Sequence, residues 1–140
     1  IQKFSKDGEF LCEFGSGDGE FTKPASIAVD SEGYIFVADW GNEAIQILDS
    51  DGVFVQKLLG EATDSEWAKE YFDLNKDEGE VRELSDLQPN IEFFNDDPHE
   101  KSSHIEKLFW GPSALFLDSK ERLFITETNR HRIQIFERNA

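Results

Sequence analysis

The chain has 140 residues, 38% of them hydrophobic and 13% aromatic, which is enough apolar material for a folded core and disfavours global disorder. Its net charge of −16 repels phosphate groups and so disfavours nucleic acid and anionic membranes as partners. Cys12 is the single cysteine, which rules out an internal disulfide and gives no zinc-binding pattern. No apolar run approaches the ~20 residues that a membrane-spanning helix needs.

Short runs rich in Val, Ile and Phe follow one another along the first part of the chain, separated by turn residues. This pattern predicts strands at 26–30, 34–39, 44–49 and 53–58, with tight turns at 31–33 and 50–52. Each of these turns ends in a glycine, Gly33 and Gly52, which accepts the positive φ that tight turns often require.

The same pattern recurs at two commensurate spacings. Residues 21–31 resemble 109–119, and the Ile-Gln-Ile-Leu of 45–48 returns as Ile-Gln-Ile-Phe at 133–136. Residues 1–10 resemble 45–54 at half that spacing. The repeating unit is therefore about 44 residues with four strands, which is typical of a β-propeller blade.

The residues of the repeat resemble those of the NHL family. The similarity runs through Phe14-Gly15 to Phe21, then Pro24, the Ile-Ala-Val-Asp of 27–30, the Ile-Phe-Val-Ala-Asp of 35–39, Gly41-Asn42 and the Ile-Gln-Ile of 45–47. In the second copy Glu127 replaces the Asp and Arg130 stands at the Asn position, while His131 and Arg132 match. The resemblance implies an all-β fold, a β-propeller fragment of about two blades built from four-stranded antiparallel sheets, out of a ring that usually has six.

Residues 60–108 lie outside the repeat and predict an α-helical insertion. Thr63 and Glu66 form a capping-box pattern ahead of an apolar stripe that begins at Trp67. A second helix is predicted from about residue 77 to Pro89, and Asp97-Pro98 is a plausible third start. Residues 103–106 repeat the capping pattern. The segment 61–107 holds fifteen acidic and five basic residues, and it is interpreted as a solvated helical surface, a docking surface for a basic partner or a lid.

Three parts are therefore predicted: blades at 1–59, the acidic helical insertion at 60–108 and a partial blade at 109–140. Two blades cannot close a ring. The absence of Met, together with a start and an end within the repeat, favours a piece of a longer chain that supplies the remaining blades. Assembly of several copies into one ring is the alternative.

Candidate binding residues come from one face of the propeller, an assignment implied by the family resemblance. With the four strands of a unit lettered a to d in chain order, this face holds the connection from strand d to strand a of the next unit (d–a) and the connection from strand b to strand c (b–c). The candidate residues are Asp39, Trp40, Asn42, Trp67, Trp110, Glu127, Asn129 and Arg130. Trp67 is expected to pack its helix on the propeller, and Trp110 to anchor the insertion.

We find no pattern for a catalytic residue, a metal ligand or a cofactor. His99 and His104 are five residues apart and do not share a helix face, and no HExxH pattern exists. The loops at 17–19 and 49–52 are interpreted as turns, because neither matches a twelve-residue calcium-binding loop.

These patterns favour a non-catalytic scaffold that binds a protein or peptide partner or another ligand, with the insertion shaping the binding face. The alternative is a metal-assisted hydrolase or lyase with its site in the central channel, and Asp30 and Asp118 are the carboxylates placed to reach it. The sequence does not indicate a compartment.

Overall fold

A computed structural model describes residues 1–15, 20–90 and 96–138 of the chain and shows antiparallel sheets with short helices between two of them. The first sheet has two strands, β1 (Gln2–Phe4) and β2 (Phe10–Glu13). The second has four in chain order, β3 (Pro24–Val29), β4 (Ile35–Asp39), β5 (Ala44–Leu48) and β6 (Phe54–Leu58). The third has β7 (Pro112–Leu117), β8 (Leu123–Glu127) and β9 (Arg132–Phe136).

The strands fall within a residue or two of the predicted ones, and their turns repeat one device. Asp30, Asp49 and Asp118 each follow a strand, and each carboxylate accepts two backbone N–H groups of the turn that follows. Such bonds hold a tight reversal without help from the rest of the molecule. Asp30 and Asp118, which were considered as channel carboxylates, therefore stabilise turns.

Hydrophobic faces of neighbouring sheets pack on each other. Ala38 and Ile45 of the second sheet are fully buried against Leu123 and Ile125 of the third and against Phe109, which precedes β7. On the opposite face of the second sheet, Ile35, Val37 and Leu48 pack against Ile1, Phe14 and Phe21. Three antiparallel sheets that pack face to face in chain order are consistent with a fragment of a β-propeller.

Three helices lie between β6 and β7 in the chain: α1 (Glu66–Leu74), α2 (Lys76–Leu84) and α3 (Pro98–His104). α1 is capped by Ser65, whose hydroxyl accepts the Ala68 N–H, so the capping residue is not the predicted Thr63. α3 begins as predicted, with Asp97 as N-cap and Pro98 in the first turn. The capping pattern at 103–106 starts no helix, because the chain leaves the helical conformation at Ile105.

The segment that precedes the helices, after β6, lies next to the segment that follows them, before β7. The Phe109 N–H donates to the Leu59 carbonyl at 2.8 Å, and the Ala62 N–H to the Lys107 carbonyl at 3.1 Å. Gly60 stands where the two segments meet, with φ of +100°, and a Cβ there would lie 2.5 Å from the Phe109 nitrogen. Only glycine fits so close an approach. No helix in the described part of the chain is long and apolar enough to cross a membrane.

Candidate functional site

Loops from the second and third sheets meet α3 on one face of the molecule, which we call the loop face. It comprises residues 20–23 and 109–111, which lead into β3 and β7, and residues 39–43 and 127–131, which follow β4 and β8. Within it, the Trp40 N–H donates to the Lys23 carbonyl, and the Thr128 N–H to the Gly111 carbonyl. The d–a and b–c connections therefore do share a face, as the family resemblance implies.

Asp39 is fully buried and holds the first of these loop pairs together. Its carboxylate accepts the backbone N–H groups of Thr22 and Lys23 at 2.9–3.2 Å. It also accepts the side-chain amides of Asn42 at 2.5 Å and Gln46 at 2.9 Å. Four donors satisfy a charge that burial would otherwise make costly, so Asp39 positions the loop. Any direct contact between Asp39 and a ligand stays a prediction.

Glu127 is the counterpart of Asp39 in the third sheet. It is 3% exposed and accepts the Trp110 N–H at 2.9 Å and the Gln134 amide at 3.0 Å. Arg132 completes the set with bonds to both carboxylate oxygens, at 2.7 and 2.9 Å. In the second sheet Ala44 occupies the position of Arg132, and Asn42 supplies the additional donor to Asp39 instead.

A row of five side chains crosses the loop face. Trp40 and Trp110 lie on either side of His99, each with a ring-centroid distance of 5.7 Å to the imidazole. Lys23 lies 5.1 Å from the centre of the Trp40 ring, and Arg130 lies 5.2 Å from that of Trp110. Cations over indole faces and an imidazole between them are attractive arrangements, so the row fixes α3 against both sheets.

Glu43 lies beneath this row and fixes the imidazole. It is 2% exposed, and its carboxylate accepts the Gly111 N–H and contacts His99 Nδ1, each at 2.5 Å. His99 Nε2 faces the Trp110 indole N–H at 3.3 Å and accepts from it when the Nδ1–H donates to Glu43. A buried carboxylate thus joins α3, the turn after β4 and the loop before β7.

The turns after β4 and β8 share a backbone conformation, although Arg130 stands in the second turn at the position of Asn42 in the first. Glu43 and His131 hold equivalent positions of the repeat, and both have a left-handed backbone, with φ of 48° and 51°. The turn is therefore set by this backbone conformation and the carboxylate contacts at the end of each strand.

Arg130 docks α3 from the other side. Its guanidinium donates to the carbonyls of Ser102 at 2.7 Å and Ser103 at 3.3 Å, which are among the unpaired acceptors at the helix end. Burial, together with the nearby charge of Arg132, lowers the pKa of Arg130 from its ordinary value. Its buried Nε has no hydrogen-bond partner.

The predicted site residues thus divide into three groups. Asp39, Asn42 and Glu127 hold loops in place, and the Asn129 N–H closes a turn on the Trp110 carbonyl. Trp40, Trp110 and Arg130 come together around His99 on the loop face. Trp67 lies on α1 and is 77% exposed, so the expectation that it packs on the propeller is wrong. None of the contacts found among the described residues joins it to the other seven predicted site residues.

Sequence reasoning missed Lys23, Glu43 and His99 as members of the site. His99 was weighed as a metal ligand, and nothing in its spacing indicates that α3 folds back between two tryptophans. Glu43 carried a weak signal, since an acidic residue stands where the repeat usually has the histidine seen at His131.

A cleft with a volume of about 910 Å³ opens beside the loop face, between α3 and the end of β6. Charged side chains of both signs line it: Lys57, Lys101 and Lys107, and Glu43, Glu61 and Asp96. Among the described residues, no group of three or more His, Cys, Asp or Glu side chains is arranged to hold a metal ion. The loop at 49–52 is a turn closed on Asp49, whereas the loop at 17–19 lies wholly outside the described residues.

Comparison with known proteins relates the chain to NHL-repeat proteins. It is 27% identical over 133 residues to protein brain tumor of Drosophila melanogaster, an alignment that covers 91% of this chain and 13% of that protein. It is 51% identical over 43 residues to protein lin-41 of Caenorhabditis elegans, covering 31% of this chain and 4% of that protein. It is 46% identical over 52 residues to human NHL repeat-containing protein 3, covering 35% of this chain and 15% of that protein.

The chain therefore spans less than a sixth of the length of each of these curated relatives. No family model matches it. The similarity extends over most of the chain at low identity and over one repeat at high identity.

Proposed function

We propose that this chain is part of a non-catalytic NHL-type propeller scaffold whose loop face binds a protein or peptide partner. In this proposal residues 1–59 and 109–140 form about two blades, and residues 60–108 are a helical insertion that shapes the binding face through α3. The remaining blades come from a longer chain or from other copies.

The observation that supports the proposal is the row of five side chains on the loop face: Lys23, Trp40, His99, Trp110 and Arg130. It presents two tryptophans and two cations on loops that buried carboxylates fix at their bases. Tryptophan and arginine are the residues that most often dominate binding energy in protein interfaces. Loops that are already ordered lose little entropy when a partner binds, which favours this face as a binding site.

The His99 side chain keeps 44% of its surface exposed, so a partner can contact the middle of the row without moving α3. In the enzyme alternative the site would lie in the central channel. Asp30 and Asp118 are the candidate carboxylates for such a site, and both accept hydrogen bonds from N–H groups of their own turns. Elemental analysis distinguishes the two, because bound stoichiometric zinc or calcium would support the metal-assisted enzyme.

Photo-cross-linking in cells tests the scaffold proposal. A photoreactive residue at Thr22 or Thr128 probes the loop face, and one at Asp7 or Glu32 probes turns outside it. We expect cross-links to a discrete protein partner from the first pair, and we expect Trp40→Ala together with Trp110→Ala to reduce them. Cross-links only from the second pair, or cross-links that the tryptophan substitutions leave unchanged, would refute the proposal.

A further inference from the structure

The first two helices carry an exposed apolar surface that the loop face does not use. In α1 the residues Trp67, Tyr71 and Leu74 follow the spacing that places side chains on one helical stripe, and they are 77%, 41% and 86% exposed. In α2, Val81 and Leu84 are 67% and 88% exposed. We call these five residues the helical patch.

The helical patch supplies one contact between the two helices, the hydrogen bond that the Tyr71 hydroxyl donates to the Glu78 carboxylate at 3.0 Å. On the inner side, Phe72 packs on Gly79, and the Arg82 guanidinium lies 5.5 Å from the centre of the Phe72 ring. Arg82 also bridges Asp64 and Glu106, with contacts of 2.5 and 3.1 Å. These inner contacts tie the helix pair to the chain on either side, and none of them involves Trp67, Leu74, Val81 or Leu84.

Contiguous exposed apolar side chains are a mark of interaction sites. Leucines that are 86% and 88% exposed contribute almost nothing to the core, yet they carry the cost of hydrating their side chains. A partner that covers them would recover that cost.

Acidic residues accompany the helical patch along both helices. Glu66, Glu70 and Asp73 each immediately precede one of the three apolar residues of α1, so they form a parallel stripe beside it. In α2, Glu80 and Glu83 each immediately precede one of the two patch residues. Residues 64–87 hold nine acidic and three basic side chains in all.

The basic residues neutralise this field only in part, because three cations stand against nine carboxylates. Lys69 pairs with Glu66, Lys76 pairs with Asp73 and Arg82 is engaged on the inner side. The bond to Lys69 lowers the pKa of Glu66, so that carboxylate stays charged near neutral pH. A second copy of this chain, with the same −16 charge, would meet strong repulsion here.

We propose that the helical patch binds an amphipathic helix of a partner protein, one with an apolar stripe flanked by lysine or arginine. Its apolar residues would cover Trp67, Leu74 and Leu84, and its cations would face the acidic stripes. The site shares no residue with the row on the loop face, so it stands whether or not that face binds a partner.

The test uses the whole chain and a synthetic helical peptide of about 18 residues, or five turns, with leucines on one side and lysines on the other. A peptide of the same composition in scrambled order controls for charge alone. The variant Leu74→Gln with Leu84→Gln removes the apolar anchors, and glutamine is a good helix former, so the helices remain. Val53→Gln is the matched control, an apolar residue 60% exposed and outside the patch.

We expect saturable binding of the helical peptide by fluorescence anisotropy, weakened about tenfold or more by the double leucine variant and unchanged by Val53→Gln. Binding should also weaken as salt rises. The proposal is overturned if the peptide does not bind, if the scrambled peptide binds as well, or if the leucine variant binds normally. It is equally overturned if the chain self-associates through the patch, shown by a mass in solution that Leu74→Gln with Leu84→Gln returns to that of one copy.

Discussion

At the scale of single residues, two buried carboxylates do most of the positioning on the loop face. Asp39 and Glu127 occupy the same place in successive repeats, and each accepts backbone N–H groups from the loop that leads into its sheet. The sequence predicts these residues on the correct face, because the repeat shows where the second strand of each unit ends. It does not predict that their carboxylates are already saturated by donors of the protein, which depends on contacts between distant loops.

Replacing Asp39 with asparagine should lower the free energy of unfolding by about 2 kcal/mol or more. The change removes the charge that four donors share and replaces one accepting oxygen with an NH2 group, which cannot accept a hydrogen bond from those donors. Denaturant titration of the variant measures the loss. Asp7→Asn, at an exposed turn, should change stability by less than about 0.5 kcal/mol. A loss for Asp39→Asn as small as that of the control would show that the carboxylate does not hold the loop.

At the scale of elements, the strands were predictable and the helical docking was not. Alternating apolar residues and Asp or Gly turns specify each strand locally, so β4 and β5 begin and end within a residue of the predicted bounds. α2 shows the limit, because it ends at Leu84 with Leu87 outside the helix, although the apolar spacing continues to Pro89. The insertion of His99 between Trp40 and Trp110 rests on a long-range fit that no local pattern carries.

Substitution of Gly60 tests whether its close approach to residues 107–109 holds the two ends of the helical segment together. Gly60→Ala should cost about 3 kcal/mol or more, since its Cβ would lie within 2.5–2.8 Å of backbone atoms of residues 107–109. Gly8→Ala is the matched control, because Gly8 also has a positive φ, +85°, with no atom within 4 Å of the added Cβ. It should cost only the backbone strain, about 1 kcal/mol.

Thermal or denaturant unfolding of both glycine variants gives the comparison. Equal losses would mean that the backbone at 107–109 yields to the new side chain, and that the two ends of the helical segment are not clamped together.

At the scale of the whole molecule, the second and third sheets each expose apolar residues whose equivalents in the other copy of the repeat are buried or partly buried. Ile45 is fully buried between the second and third sheets, whereas Ile133, at the same place in the repeat, is 59% exposed on the third sheet. Phe116 and Ile135 on that face are 63% and 52% exposed. The third sheet therefore presents an exposed apolar face. The equivalent face of the second sheet is covered by the third sheet.

The other end of the array shows the same relation. Ile27 and Val29 of β3 are 48% and 57% exposed, while their equivalents in β7, Leu115 and Leu117, pack against the second sheet. The first sheet has two strands, β1 and β2, and leaves these two β3 side chains about half exposed. Both faces fit the proposal that further blades continue the array, in the same chain or in other copies.

An experimental structure of the protein at its natural length tests the repeat architecture most directly. We expect the sheets of β3–β6 and β7–β9 to lie side by side around a common axis, with β3 and β7 innermost. A further antiparallel sheet should cover Phe116, Ile133 and Ile135. If those three side chains face solvent, or if the sheets stack as a two-layer sandwich, the propeller assignment is contradicted.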